Sequence, residues 1–255
     1  MNIEIRAPKQ GDREALRGLW KEAFGDSDDF FDLFEQTAYS PERARALFCD
    51  GDLSAALYWF DCECEGEKIA YLYAIATAKS QRGRGLCRAL MEETHAHLRD
   101  RGYAAAILVP SEPSLFGFYE KLGYKIATQV REFSCRADGT PIKLIRIGTE
   151  EYARLRREMI PEGGVVQEKE NLSYLAAQAE LYRGEDFLLA VRREAERLFG
   201  IELLGDESAA PRIVRALGKE RGSFRTVGAE RDFSMLLPLD DKKTRCPTYF
   251  GLAFD

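Results

Sequence analysis

Histidine is nearly absent from this 255-residue sequence, with two copies, and no stretch is long and apolar enough to cross a bilayer. A membrane is therefore not an expected partner. Positive charge is outweighed too: 37 Lys and Arg against 43 Asp and Glu leave a formal net charge of -6, which denies the chain the basic surface that displaces counterions from a phosphate backbone. Nucleic acid is excluded as a general partner. The six cysteines, at 49, 62, 64, 87, 135 and 246, are scattered through a chain too large to need covalent staples, and read as free thiols. Cys62 and Cys64 would share one face of a strand, but no second pair or nearby histidine completes a tetrahedral shell. No metal is expected. His95 and His97 stand two apart in a helical stretch, so they cannot act as a pair, and both are expected at the surface or half-buried. The segment Met1 to Arg6 alternates like a short strand rather than running apolar like a leader, which makes the cytoplasm the expected compartment.

What is present suits a folded protein: 45% hydrophobic and 31% charged residues can bury a full core. The length allows one large domain or two small ones, and the polar run Arg136-Ala137-Asp138-Gly139-Thr140-Pro141 separates a lobe at 1–135 from a second at 141–255.

Apolar spacing predicts amphipathic helices at 12–23 and 27–37, the second opened by Asp26 and Ser27 as capping candidates. Strands at 44–49, 53–62 and 68–76, with turns at Asp50-Gly51-Asp52 and Glu65-Gly66-Glu67, form an antiparallel meander. A helix at 85–99 and a strand at 104–109 then imply parallel pairing across the helix. A short helix at 114–121 and a strand at 124–133 close the first lobe. The second lobe reads as helices at 150–159 and 172–182, strands at 187–192 and 197–204, a helix at 209–217, and strands at 223–227, 233–239 and 249–254. This order echoes the first lobe without repeating its residues.

Chemistry concentrates after the meander. Gln81-Arg82-Gly83-Arg84-Gly85 lies between a strong strand and a helix, where converging backbone N–H groups and the helix dipole favour an anion. Glycine lets the backbone approach phosphate oxygens, and Arg82 and Arg84 add positive charge. The plainer reading of the turn is a basic surface loop. Downstream, Phe118-Tyr119-Glu120-Lys121-Leu122-Gly123-Tyr124 places Tyr119 at helical spacing from Leu115 and Leu122, which would also suit a packed core aromatic.

Together the two segments resemble the acyl-CoA N-acyltransferases of the GNAT superfamily. Arg82-Gly83-Arg84-Gly85-Leu86-Cys87 is similar to its R/Q-x-x-G-x-G/A signature, with Cys87 where glycine or alanine is usual. Phe118 to Tyr124 is similar to its F-Y-x-K-x-G-F/Y segment, although Glu112 and Leu115 replace the asparagine and alanine of many members. The resemblance implies an α/β (α+β) fold with a mixed, mostly antiparallel sheet and a second, smaller α/β lobe. It implies direct acetyl transfer from acetyl-CoA to a primary amine, on a small molecule or a peptide, in a ternary complex. Arg82 to Cys87 would hold the pyrophosphate. The backbone of Ile75, Ala76 and Thr77, in a strand splayed from its neighbour, would bond the pantetheine arm. Tyr119 would be the general acid, since a phenol with a reference pKa of about 10 stays protonated at neutral pH and can donate to a departing thiolate.

Asp61 and Glu67 are candidates for the base. Eis-type acetyltransferases, which also extend beyond one such domain, use their chain terminus near the reacting groups, and this implies the carboxylate of Asp255 as a third candidate. The first two helices carry alternating acids and aromatics from Glu22 to Glu35, an arrangement that fits either a cationic amine or an ordinary amphipathic surface. In the second lobe, Leu204-Gly205-Asp206-Glu207-Ser208 occupies the place of the phosphate turn, and its acids would repel a diphosphate. That lobe is expected to cover the acceptor side or to form a dimer contact. The alternative function is a non-catalytic acyl-CoA-binding or regulatory module.

Overall fold

The computed structural model describes residues 2–240 and 245–254. After strand β1 (Ile3–Arg6), helices α1 (Arg13–Phe24) and α2 (Asp28–Thr37) turn Leu16, Leu19, Trp20, Phe31 and Phe34 into the core. Ser27 caps α2 by accepting from the Phe30 N–H at 3.3 Å, and Asp28 and Asp29 complement the dipole of its first turn. The meander follows as β2 (Ala44–Cys49), β3 (Asp52–Cys64) and β4 (Glu67–Thr77), paired antiparallel. Along β3, Tyr58 and Phe60 enter one core while Leu57 and Trp59 enter the other, so both faces of the sheet are covered.

Helix α3 (Leu86–Asp100) crosses over to β5 (Ala105–Leu108), which pairs in parallel with β4. Helix α4 (Phe116–Glu120) leads into the long β6 (Lys125–Arg136). Beyond it come β7 (Ile145–Arg146), α5 (Thr149–Met159), β8 (Val166–Gln167), α6 (Glu170–Gln178), and the strands β9 (Glu180–Arg183), β10 (Phe187–Arg193) and β11 (Arg197–Gly205). Helix α7 (Ala210–Ala216) crosses to β12 (Arg221–Val227), parallel to β11, and β13 (Arg231–Pro238) completes the set. The fold is thus α/β with a mostly antiparallel sheet, and the order of two helices, three antiparallel strands and a crossover helix recurs after β6.

One sheet joins the two lobes, in the order β1-β2-β3-β4-β5-β13-β6-β12-β11-β10-β9-β7, with β8 against β3. The last strand lies between β5 and β6 of the first lobe. β12 runs antiparallel to the far half of β6 as far as Val130, and β13 continues along the near half from the same residue. At the step between them a Cβ on Gly228 would lie 2.4 Å from the Arg131 Cβ, so this crossing requires glycine. The largest core follows the same path, running from Trp20 and Phe34 through Tyr71 to Leu188, Ile201 and Tyr249.

Three local expectations need correction. The helix expected at 172–182 ends at Gln178, because Leu181 and Tyr182 pair with Ala190 and Leu189 in a hairpin. The strand expected at 249–254 is an irregular segment with a single bridge, from Tyr249 to Gly164. It is held by the Val165 N–H on the Tyr249 carbonyl at 2.8 Å and the Gln167 Nε2 on the Leu252 carbonyl at 2.7 Å. His95 is buried rather than at the surface or half-buried, because α3 turns it inward to hydrogen-bond the Tyr124 hydroxyl at 2.7 Å. Among the described residues no helix is long and apolar enough to cross a membrane.

Candidate active site

The parallel ladder between β4 and β5 is short: Ile69 faces Ala105, Ala70 faces Ala106 and Tyr71 faces Ile107. Past these pairs the strands part. Pro110, just after β5, lacks the N–H to extend a ladder. On its other edge β4 stays joined to β3 through a bulge, where Ala56 opposes Ala76, Tyr58 opposes Tyr73, and Ala74 and Ile75 together face one residue. Ala74 takes a φ of +49°, a conformation that costs an alanine about 1 kcal/mol. The bulge interrupts the ladder to β3 at Ala74 and Ile75 and leaves the extra residue unpaired there.

A cavity of about 580 Å³ opens in this gap. At one end it is lined by Ile75, Leu108, Leu115 and Tyr119. Tyr119 is 8% exposed and packs edge-on to Tyr124 with ring centroids 5.9 Å apart. Burial, and then the neighbouring Cys87, hold its phenol above the ordinary tyrosine range, so it carries its proton throughout neutral pH.

Outside the gap, the turn after β4 leads into α3. Gly83 and Gly85 sit at φ +75° and +79°, with open space where a Cβ would be, and no side chain caps α3 at Gly85. Its first-turn amides therefore face the turn with the positive end of the helix dipole. Arg82 donates to the Thr77 carbonyl at 3.2 Å, and Arg84 hydrogen-bonds the Gln81 side chain. Leu86 is buried in the core, leaving only its backbone for a ligand. Cys87 is half-buried, and burial raises its thiol although a hydrogen bond with Thr77 opposes the shift.

Of the site residues expected from the sequence, Ile75 and Tyr119 therefore share the cavity lining. Ala76 is buried opposite Ala56, Thr77 is half-buried, and Arg82 to Gly85 form an exposed turn leading into α3. The base candidates Asp61 and Glu67 stand elsewhere. Asp61 accepts from the Tyr103 hydroxyl and lines a separate groove with Gly66, Lys68 and Arg157, and Glu67 begins β4 opposite Cys64. Asp255 lies outside the described residues. Cys62 and Cys64 are both buried, contacting Asn171 and the Gly163 carbonyl. In the second lobe the acids of the 204–208 turn are engaged: Asp206 accepts from the Ser208 N–H at 2.9 Å and Glu207 pairs with Arg131.

The other end of the cavity was only partly legible. Trp20, Phe24, Asp26 and Phe30 line it from the first two helices and the link between them, and they fall within or beside the acid and aromatic alternation. Gln178, Arg192 and Phe254 come from the second lobe, and no local pattern singled them out. Phe254 reaches the first lobe from the far end of the chain, its ring 4.9 Å from Phe60 and its N–H donating to the Tyr71 hydroxyl at 3.2 Å.

Residues 4–127 match the sequence model of an acetyltransferase (GNAT) domain. No curated protein matches the sequence at a significant level. Among solved structures, the chain is similar to a GCN5-related N-acetyltransferase from Kribbella flavida, at 18% identity and a TM-score of 0.71, covering 94% of this chain and 71% of that one. One from Anabaena variabilis gives 12% identity and a TM-score of 0.72, with 94% and 73% covered. Eis1 from Mycobacterium abscessus gives 15% and 0.66, with 94% and 74% covered. At these identities the likeness is one of fold, and it extends over both lobes.

Proposed function

We propose that this chain, whose residues 4–127 match the sequence model of an acetyltransferase (GNAT) domain, moves an acetyl group from acetyl-CoA directly to a primary amine within a ternary complex. The reading is supported by one coincidence of geometry: the gap between β4 and β5 opens beside an uncapped helix start, and buried Tyr119 lies on its wall. The backbone of Gly83 to Cys87 holds the pyrophosphate, helped by Arg82 and Arg84. The free edge of Ile75, Ala76 and Thr77 bonds the pantetheine amides.

An N–H of the bulge at Ala74 and Ile75 polarises the thioester carbonyl. The amine nitrogen attacks that carbon, the C–S bond breaks, and Tyr119 gives its proton to the departing sulfur. The proton lost by the amine passes to solvent or to Asp26, and Tyr119 regains its own from solvent. The second lobe shapes the acceptor end and binds no CoA, since acids fill its equivalent turn.

Calorimetry with acetyl-CoA, followed by thiol release with a panel of amines, tests the reading. Tyr119→Phe is expected to lower kcat by about 100-fold with acetyl-CoA affinity nearly unchanged. Equal turnover in this variant removes the acid role. Binding with no thiol release from any amine identifies a CoA-binding module instead.

A further inference from the structure

The acceptor end of the cavity has an uneven chemistry. Aromatic rings dominate it: Trp20, Phe24, Phe30, Tyr73 and Phe254. Phe24 is 43% exposed, an unusually open large apolar side chain at the edge of a cavity. Among the described lining residues the only acid is Asp26, and the only base is Arg192. Asp26 has a fixed position, because the Trp20 Nε1 donates to its Oδ2 at 2.8 Å and leaves Oδ1 for another partner. Its charge is felt by the phenols of Tyr73 and Tyr174.

We infer that the acceptor is a singly charged amine carried on an apolar, preferably aromatic, body. This rests on the acetyl-transfer reading above. One carboxylate beside several ring faces supplies Coulomb and cation-π attraction for one ammonium group. The remaining wall rewards apolar contact. Among the described lining residues a polycation meets no second acid. A hydroxylated amine leaves its polar groups facing rings, without hydrogen-bond partners for what they lost from water. A peptide amine brings a polar backbone to the same aromatic wall.

The test is thiol release by the full chain with acetyl-CoA and four acceptors: 2-phenylethylamine, ethanolamine, spermidine and a polycationic aminosugar. The expected kcat/KM for 2-phenylethylamine exceeds that of each of the others by about ten-fold or more, the scale on which apolar contacts discriminate. Asp26→Asn, which keeps an oxygen for the Trp20 N–H, is expected to raise the KM for 2-phenylethylamine by about ten-fold while leaving the KM for acetyl-CoA unchanged. Turnover that favours spermidine, the aminosugar or ethanolamine overturns the inference and leaves the transfer reading standing. An unchanged amine KM in Asp26→Asn does the same. Failure to bind acetyl-CoA overturns the transfer reading, and this inference with it.

Discussion

The hydroxyl groups of Tyr73, on β4, and Tyr174, on α6, lie 3.0 Å apart and form a hydrogen bond between the two lobes beside the cavity. Both phenols are held above the ordinary range by burial. Tyr174→Phe keeps the ring packing against Phe60 and Phe254 and removes only the hydroxyl. A loss of about 1 kcal/mol in denaturant melts is expected, with a changed KM for the amine and an unchanged affinity for acetyl-CoA. A shift in acetyl-CoA affinity would place the pair with the donor half instead.

Gly85 gives a prediction for that donor half. An alanine there has room for its Cβ but must adopt a φ near +79°, at a cost of about 1 kcal/mol. Gly85→Ala is expected to raise the KM for acetyl-CoA several-fold and to leave the KM for the amine alone. Two-substrate steady-state kinetics separates these effects, and a rise confined to the amine contradicts the assignment of the turn.

The second lobe is anchored by a buried ion pair. Arg156 donates to Glu202 through Nε at 2.8 Å and Nη2 at 3.0 Å, and the hydroxyls of Tyr152 and Tyr249 donate to the same carboxylate at 3.0 and 3.1 Å. Gly251 belongs to this arrangement, since a Cβ there would fall 2.4 Å from Glu202 Oε1. Glu202→Gln strands the guanidinium charge in the interior and is expected to cost about 3–5 kcal/mol. Tyr249 opens the segment that delivers Phe254 to the cavity, so the variant should also raise the KM for the amine more than that for acetyl-CoA. Chemical denaturation and kinetics on the same preparation check both.

His95 adds a pH dependence. Burial lowers its pKa to about 4 from the ordinary 6.5. The folded chain thus resists protonation that the unfolded chain accepts, so stability is fully present above pH 6.5 and is lost progressively as pH falls toward 4. The loss is at most about 3 kcal/mol. Wild-type melts should weaken across that window, and His95→Gln should flatten the curve there. An equally steep fall in the variant would assign the acid sensitivity to other groups.

Local order was readable wherever it is dictated by near neighbours in the chain. The spacing of Leu16, Leu19 and Trp20 gave α1, and Ser27 marked the start of α2. Alternation along residues 44–76 gave the meander, and the glycines at 83 and 85 marked the turn before α3. The same local logic failed at Leu181 and Tyr182, whose helical spacing was overridden by pairing with β10. It also placed His95 at the surface or half-buried, although the side of a helix that faces a sheet depends on partners distant in sequence.

By itself, then, the sequence determined the elements of the proposed donor half: a strand, a glycine turn, a helix start and Tyr119, all within fifty residues and each recognisable by short-range chemistry. The tertiary structure decided the other end of the cavity, proposed above as the acceptor half. It placed β13 between β5 and β6, routed the chain end over the Arg156 and Glu202 pair, and brought Arg192 and Phe254 opposite Asp26. Arg192 and Phe254 stand more than 150 positions from Asp26 in the sequence, and β13 pairs with residues more than 100 positions before it. No periodicity encodes such a contact, because burial and strand pairing across the whole sheet select it only once the chain has folded.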